Sequence, residues 1–168
     1  MQRFPDFSPR ALLGRLVAGG VDFVVIGGVA AVARGSAAFT QDLDISYAPD
    51  EENLDRLGRV LVDLGARLRG VTDDVPFIPD GQTLRRTRVL TLDTPLGWVD
   101  LVAQPDGAPV YDRLRERATR EVVAGVEVQI ASLEDLIAMK KAAGRPKDLV
   151  AVEELEAIQR LQRELDEG

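Results

Sequence analysis

The sequence predicts an α+β fold: a mixed β-sheet with its helices mainly on one face, in two layers. Three observations predict it. Helical and strand periods interleave through the first half of the chain. A Pro-Gly turn then joins two adjacent strands, which makes part of the sheet antiparallel. The composition, 45% hydrophobic and 29% charged over 168 residues, is that of a globular chain that buries a core without staples.

Ser8 and Pro9 look like the N-cap and first residue of a helix to about Val17, ended by Gly19-Gly20. The run Val21 to Ile26 is β-branched and aromatic, hence a strand, and Gly27-Gly28 turns it into a short helix, Val29 to Arg34. Asp42 to Tyr47 alternates polar and apolar residues, the period of a strand. Pro49 and Asp50 open a helix to about Leu64, with Leu54, Leu57, Leu61 and Leu64 on its core face. Residues 65–86 carry no clear period; a short strand and a loop fit there. Thr87 to Leu92 and Trp98 to Ala103 form a hairpin around Thr94-Pro95-Leu96-Gly97. A helix follows over Tyr111 to Thr119, then a strand over Gly125 to Ile130. Ser132 and Asp135 start a helix over Leu133 to Ala143, Gly144 and Pro146 end it, and a last helix runs from about Lys147 to Leu165. The expectation is a single domain over 1–168 with a C-terminal helical segment from about 132.

Composition excludes several chemistries. The chain has no Cys and no His, so thiolate chemistry, disulfides, histidine-ligated metals and the Ser-His-Asp triad are out. Acid-base or metal work falls to Asp, Glu, Lys, Arg, Tyr or water. The first residues lack a signal-peptide core, and the longest apolar stretch, about 21–32, is too short to span a bilayer. The expected location is cytoplasmic, with no membrane partner. The net charge of −7 argues against a broad nucleic-acid-binding face. Base nevertheless clusters at Arg113 to Arg120 and at Lys140 to Lys147, either as solvated helix faces or as a rim that greets phosphate.

The residues that carry chemistry are acidic. Asp42 and Asp44 lie two apart on a strand, so they share one face while Leu43 and Ile45 point into the core. Neighbouring carboxylates raise each other's pKa unless a cation lies between them, and oxygen-only ligands favour a hard ion such as Mg²⁺. Asp100, between Val99 and Leu101, offers a third carboxylate from another strand. Three converging carboxylates suit a two-metal clamp on an in-line phosphoryl displacement. Gly27-Gly28, between a strand and a helix start, offers free N–H groups and close backbone approach to a phosphate. Neither a Walker A loop nor a dinucleotide-binding fingerprint is present. Trp98 reads as core, as a partial lid, or as a base-stacking surface.

Together these residues resemble the DNA polymerase beta-like nucleotidyltransferase superfamily, whose members carry hG[GS], 9 to 13 residues, Dh[DE]h, and a third Asp on a later strand. Here the pattern reads Ile26-Gly27-Gly28, thirteen residues, Asp42-Leu43-Asp44-Ile45, then Val99-Asp100-Leu101. The chain is more closely similar to small bacterial proteins related to AbiEii-type toxins, through Gly27-Gly28-Val29-Ala30, Thr40, and Lys140, Ala143, Arg145 and Asp148. The resemblance covers about residues 20–150. It implies a nucleotidyltransferase-like fold and Mg²⁺- or Mn²⁺-dependent transfer of a nucleotide from an NTP to a hydroxyl on RNA, protein or a small molecule. Asp42, Asp44 and Asp100 would be metal ligands and catalytic residues, with Asp100 helping to activate the acceptor. Gly27, Gly28, Thr40, Lys140 and Asp148 would line the nucleotide site. Two departures are visible. Gly28 stands where many active members have Ser, and Ala38 where relatives often carry Arg, for which Arg34 substitutes only if its helix turns it toward the site. The alternatives are a weakened nucleotide- or partner-binding protein, as in a toxin–antitoxin pair with an antitoxin-type partner, or an interaction protein using its amphipathic tail from Val152 to Leu165.

Overall fold

The structure, a computed structural model, describes residues 6–72 and 76–168. The leader reading of the first five residues, and positions 73–75 of the weakly patterned segment, lie outside the described residues. The chain forms, in order, α1 (Pro9–Ala18), β1 (Phe23–Ile26), α2 (Gly27–Ala33), β2 (Asp42–Tyr47), α3 (Glu51–Asp63), β3 (Arg67–Leu68) and α4 (Gly81–Arg86). Then come β4 (Val89–Thr94), β5 (Gly97–Val102), α5 (Tyr111–Arg117), β6 (Thr119–Val123), β7 (Val126–Ile130), α6 (Leu133–Ala143) and α7 (Pro146–Glu167). The strands make one mixed sheet in the order β3-β4-β5-β2-β1-β7-β6. The α+β class and the mixed sheet are those the sequence predicts.

The sheet centre fixes the site. β2 runs parallel to β5 and antiparallel to β1, with Asp44 registered against Asp100 on one side and Ile26 on the other. Alternation then gives β4 and β5 one packed and one open face. Leu90, Leu92, Val99 and Leu101 are buried, whereas Thr91 is exposed and Trp98 and Asp100 are half-buried. β1 is buried along its whole length, as its unbroken apolar run requires.

Local chemistry sets the helix ends. Asp50 caps α3 by accepting from the Asn53 N–H, and Ser132 caps α6 by accepting from the Asp135 N–H. α6 stops at Gly144 in the left-handed region. Ser8 occupies the cap position of α1, but its side chain makes no cap bond; its backbone N–H donates instead to Leu96 O at 2.8 Å, tying α1 to the hairpin turn.

Asn53 joins α3 to the sheet. Its side chain is buried; it accepts from Asp22 N at 2.7 Å and donates to Asp22 O at 3.0 Å and Ala48 O at 2.8 Å. Asn53→Ala would leave buried backbone groups unpaired at the start of β1 and the end of β2. An expected cost of roughly 2–4 kcal/mol follows, read as a lowered urea midpoint with an unchanged slope.

The weakly patterned segment holds a helix, α4, as well as the short strand β3. Asp80 caps α4 by accepting from Thr83 N, but Leu84 is the only large apolar residue on it, so no period shows. The predicted helix Tyr111 to Thr119 ends at Arg117, because Thr119 begins β6. β6 pairs with β7 across a tight turn in which Ala124 and Gly125 both take positive φ, the geometry of a two-residue hairpin loop.

Candidate active site

The three predicted carboxylates meet. Asp42 and Asp44 project from the same face of β2, and Asp100 stands beside Asp44 on β5. One carboxylate oxygen from each lies within 4.8 Å of the others. Oxygens around one Mg²⁺ are about 4 Å apart at most, so a cation fits after a small inward adjustment. The electrostatics point the same way. Burial, then the negative charges of Asp42 and Asp100, push the Asp44 carboxyl up to about 8. Its Oδ1 is buried with no hydrogen-bond partner. Burial raises Asp100 as well, opposed by the Arg69 guanidinium. An orphaned buried oxygen among acceptor-only groups is what a hard cation satisfies.

This arrangement predicts a pH dependence. Asp44 holds its proton to about pH 8 in the folded, metal-free protein, but ionises near 4 when unfolded. Between those values the folded state binds more protons, so stability from this group is fully present below about pH 4 and is lost as pH rises through about 8. Thermal melts over that window should show the loss without divalent cation, and saturating Mn²⁺ should reduce it.

The two glycines have a steric reason. Gly27 has φ +65°, and a Cβ there would collide with the Asp44 carboxylate. A Cβ on Gly28 would come within 2.7 Å of Thr40 Oγ1. Both residues lie inside α2, whose start therefore packs flush on β2. The Thr40 hydroxyl donates to Asp42 O at 3.2 Å and approaches Asp42 Oδ1 at 3.4 Å, steadying the first carboxylate.

Asp44, Asp100 and Gly27 line a cleft of about 330 Å³ whose far wall is α6 and the start of α7. Lys140, Arg145 and Asp148 face it from that wall. Asp148 is 1% exposed, bonded to Arg145 Nε at 2.6 Å and 3.5 Å from Lys140 Nζ. The hydrogen bond from Arg145 holds the Asp148 carboxyl below the usual range. Asp148 thus anchors two cations, and the three groups together carry one net positive charge opposite the triad. A more apolar groove of about 460 Å³, bordered by Val29, Phe39 and Val122, reaches Thr40 but contains none of the three carboxylates.

Arg34 does not substitute for the missing arginine at position 38. Its Nε donates to Ala131 O at 3.0 Å and its NH2 group to Ile130 O at 2.9 Å, clamping α2 to the end of β7. Arg69, absent from the sequence-derived site, belongs to it. Its NH2 group donates to Asp100 Oδ1 at 2.7 Å, and its guanidinium lies 4.5 Å from the centre of the Trp98 ring. Trp98 is therefore a platform for an arginine. The only sequence signal for Arg69 was its basic charge, within a stretch that lacks a period.

No protein-family model and no curated protein matches the sequence. Solved structures do. The lincomycin-bound lincosamide antibiotic adenylyltransferase LnuA matches 91% of this chain and 99% of its own, with TM-score 0.60 and 15% identity. ANT(2″)-Ia in complex with adenylyl-2″-tobramycin matches 92% and 96%, with TM-score 0.54 and 17% identity. An antigenic nucleotidyltransferase-like protein from Paracoccidioides brasiliensis matches 90% and 73%, with TM-score 0.53 and 19% identity. At these identities the likeness is one of fold, and the fold of this chain is that of the nucleotidyltransferases.

Proposed function

We propose that the protein is a divalent-metal-dependent nucleotidyltransferase that moves a nucleotide from an NTP to a hydroxyl acceptor. The observation that carries this reading is the meeting of three carboxylates from β2 and β5, two of which, Asp44 and Asp100, line a cleft that Lys140 and Arg145 face from the opposite wall. Asp42 and Asp44 would hold Mg²⁺ or Mn²⁺, with Asp100 as a third ligand. Bound there, the cation supplies charge neutralisation at the reacting phosphate and acidifies the acceptor hydroxyl. With no His in the chain, Asp100 would accept the hydroxyl proton. The acceptor oxygen bonds to the α-phosphorus as the bond to the pyrophosphate oxygen breaks. Lys140 and Arg145, held by Asp148, would face the departing charge. Gly27 and Gly28 would let the start of α2 lie close to the triphosphate, and Thr40 steadies Asp42.

A small-molecule hydroxyl is the acceptor class this reading favours over RNA or protein. The solved complexes above hold lincomycin and an adenylylated tobramycin, and those chains match this one over nearly their whole length. A weakened nucleotide-binding protein with an antitoxin-type partner is the second reading. It is favoured by Arg34, whose bonds to β7 leave the position vacated at Ala38 unfilled. The AbiEii-type affiliation rests on sequence motifs alone. The experiment is transfer from α-labelled NTPs with Mg²⁺ to aminoglycoside, lincosamide, RNA and protein acceptors. A labelled product lost in Asp100→Asn supports the enzyme; nucleotide binding without product from any acceptor supports the second reading.

A further inference from the structure

Arg69 follows the short edge strand β3, with its backbone N–H bonded to Thr91 O at 3.0 Å. Thr91 is registered against Asp100, and Asp100 against Asp44, so one row across the sheet's open face runs Arg69, Thr91, Asp100, Asp44. The guanidinium is fixed from several sides. It stacks on Trp98, and its NH2 group donates both to Asp100 Oδ1 at 2.7 Å and to Leu92 O at 3.2 Å. Its Nε is buried without a partner, so the side chain is held chiefly by the carboxylate and the ring. The ion pair is well shielded, with side-chain exposures of 25% and 22%.

We propose that Arg69 is the resident counter-cation of the triad and competes with a divalent cation for Asp100. The inference rests on the metal-binding reading above. The three carboxylates carry up to three negative charges, and Arg69 offsets one of them at direct contact. A cation entering the triad must share Asp100 with a guanidinium already on Oδ1, and it meets like charge a few ångströms away. Two effects oppose each other when Arg69 is removed. Asp100 loses a partner that orients it, and the site loses a repulsive positive charge. The first is small, because Asp100 stands on a central strand whose neighbours Val99 and Leu101 are fully packed, which fixes its backbone. The second is large, because charges this close interact strongly where solvent is partly excluded. Repulsion therefore decides the outcome. Arg69 weakens metal binding in the absence of nucleotide and stabilises the empty triad.

The test is Mn²⁺ affinity, measured by titration calorimetry and by the electron paramagnetic resonance of free Mn²⁺, at pH 8.5 and without nucleotide. The proteins are wild type, Arg69→Gln, Arg69→Met and Arg69→Lys, each checked for folding by its circular dichroism melt. The two neutral variants should bind Mn²⁺ about tenfold or more tightly than wild type, and Arg69→Lys, which keeps the charge, should stay near wild type. Binding by the neutral variants alone, with none by wild type, also supports the proposal. Equal or weaker Mn²⁺ binding in the folded neutral variants overturns it while leaving the metal site standing. Absence of Mn²⁺ binding in every protein overturns both. If one neutral variant fails to fold, the other decides.

Discussion

Replacing Asp44 with asparagine is expected to abolish nucleotide transfer and, in the same protein, to raise the melting temperature of the metal-free form. The first effect follows from the ligand set. Asp44 stands between the other two carboxylates, registered directly beside Asp100 and two residues from Asp42 on β2, and Asn supplies no charge to balance a divalent cation, so turnover should fall by at least about a thousandfold. The second follows from the cost of the empty site. Asp44 is half-buried beside two other acids, and its buried Oδ1 lacks a partner. A neutral amide of the same shape removes the repulsion, and each kcal/mol relieved should raise the melting temperature by roughly 2–4 °C. The gain should be clear at pH 9, where Asp44 is ionised, and shrink at pH 6, where it is already protonated. A metal-free Asp44→Asn protein that melts lower than wild type at pH 9 would contradict the electrostatic account.

Gly27→Ala should produce the largest loss of stability among single-methyl changes at the site. Two costs add. The backbone sits at φ +65°, which L side chains occupy at about 1–2 kcal/mol. The new Cβ would also lie 2.7 Å from Asp44 Cγ and 2.9 Å from Asp44 Cβ, on a strand too well packed to retreat, for a further 1–3 kcal/mol or so. A fall in melting temperature of roughly 5–15 °C is expected, with loss of Mn²⁺ binding because Asp44 must rotate away. Gly65→Ala is a control with positive φ but open space around it, and should lose only the backbone share. Equal losses at the two positions would mean that contact with Asp44 contributes nothing.

Residues whose meaning lies in short-range pattern were legible in the sequence. The alternation of Asp42-Leu43-Asp44-Ile45 set both the strand and the face of its acids, and the apolar neighbours of Asp100 did the same on β5. Caps such as Asp50 and Ser132 fixed helix starts, because the residue type and the bond it makes are local. What escaped depends on contacts distant in sequence. α4 has a cap but too little apolar surface to show a period, and β6, Thr-Arg-Glu-Val-Val, lacks the alternation of a half-buried strand and meets its partner across a turn formed by Ala124 rather than by Asn or Asp. Arg69 acquires its place only because β3, β4 and β5 lie side by side, which brings it to an acid 31 residues away. The glycines were read as points of close approach to a phosphate; what approaches them in this structure is the protein's own Asp44 and Thr40 side chains.

The most direct test of the account is a crystal of the wild-type protein soaked in Mn²⁺ and measured at a wavelength where manganese scatters anomalously. The account predicts an anomalous peak bonded to carboxylate oxygens of Asp42, Asp44 and Asp100, with the Asp44 Oδ1 atom no longer unpartnered. A fully soaked crystal with no peak among these three residues, or with the ion bound elsewhere and the triad unchanged, would contradict it.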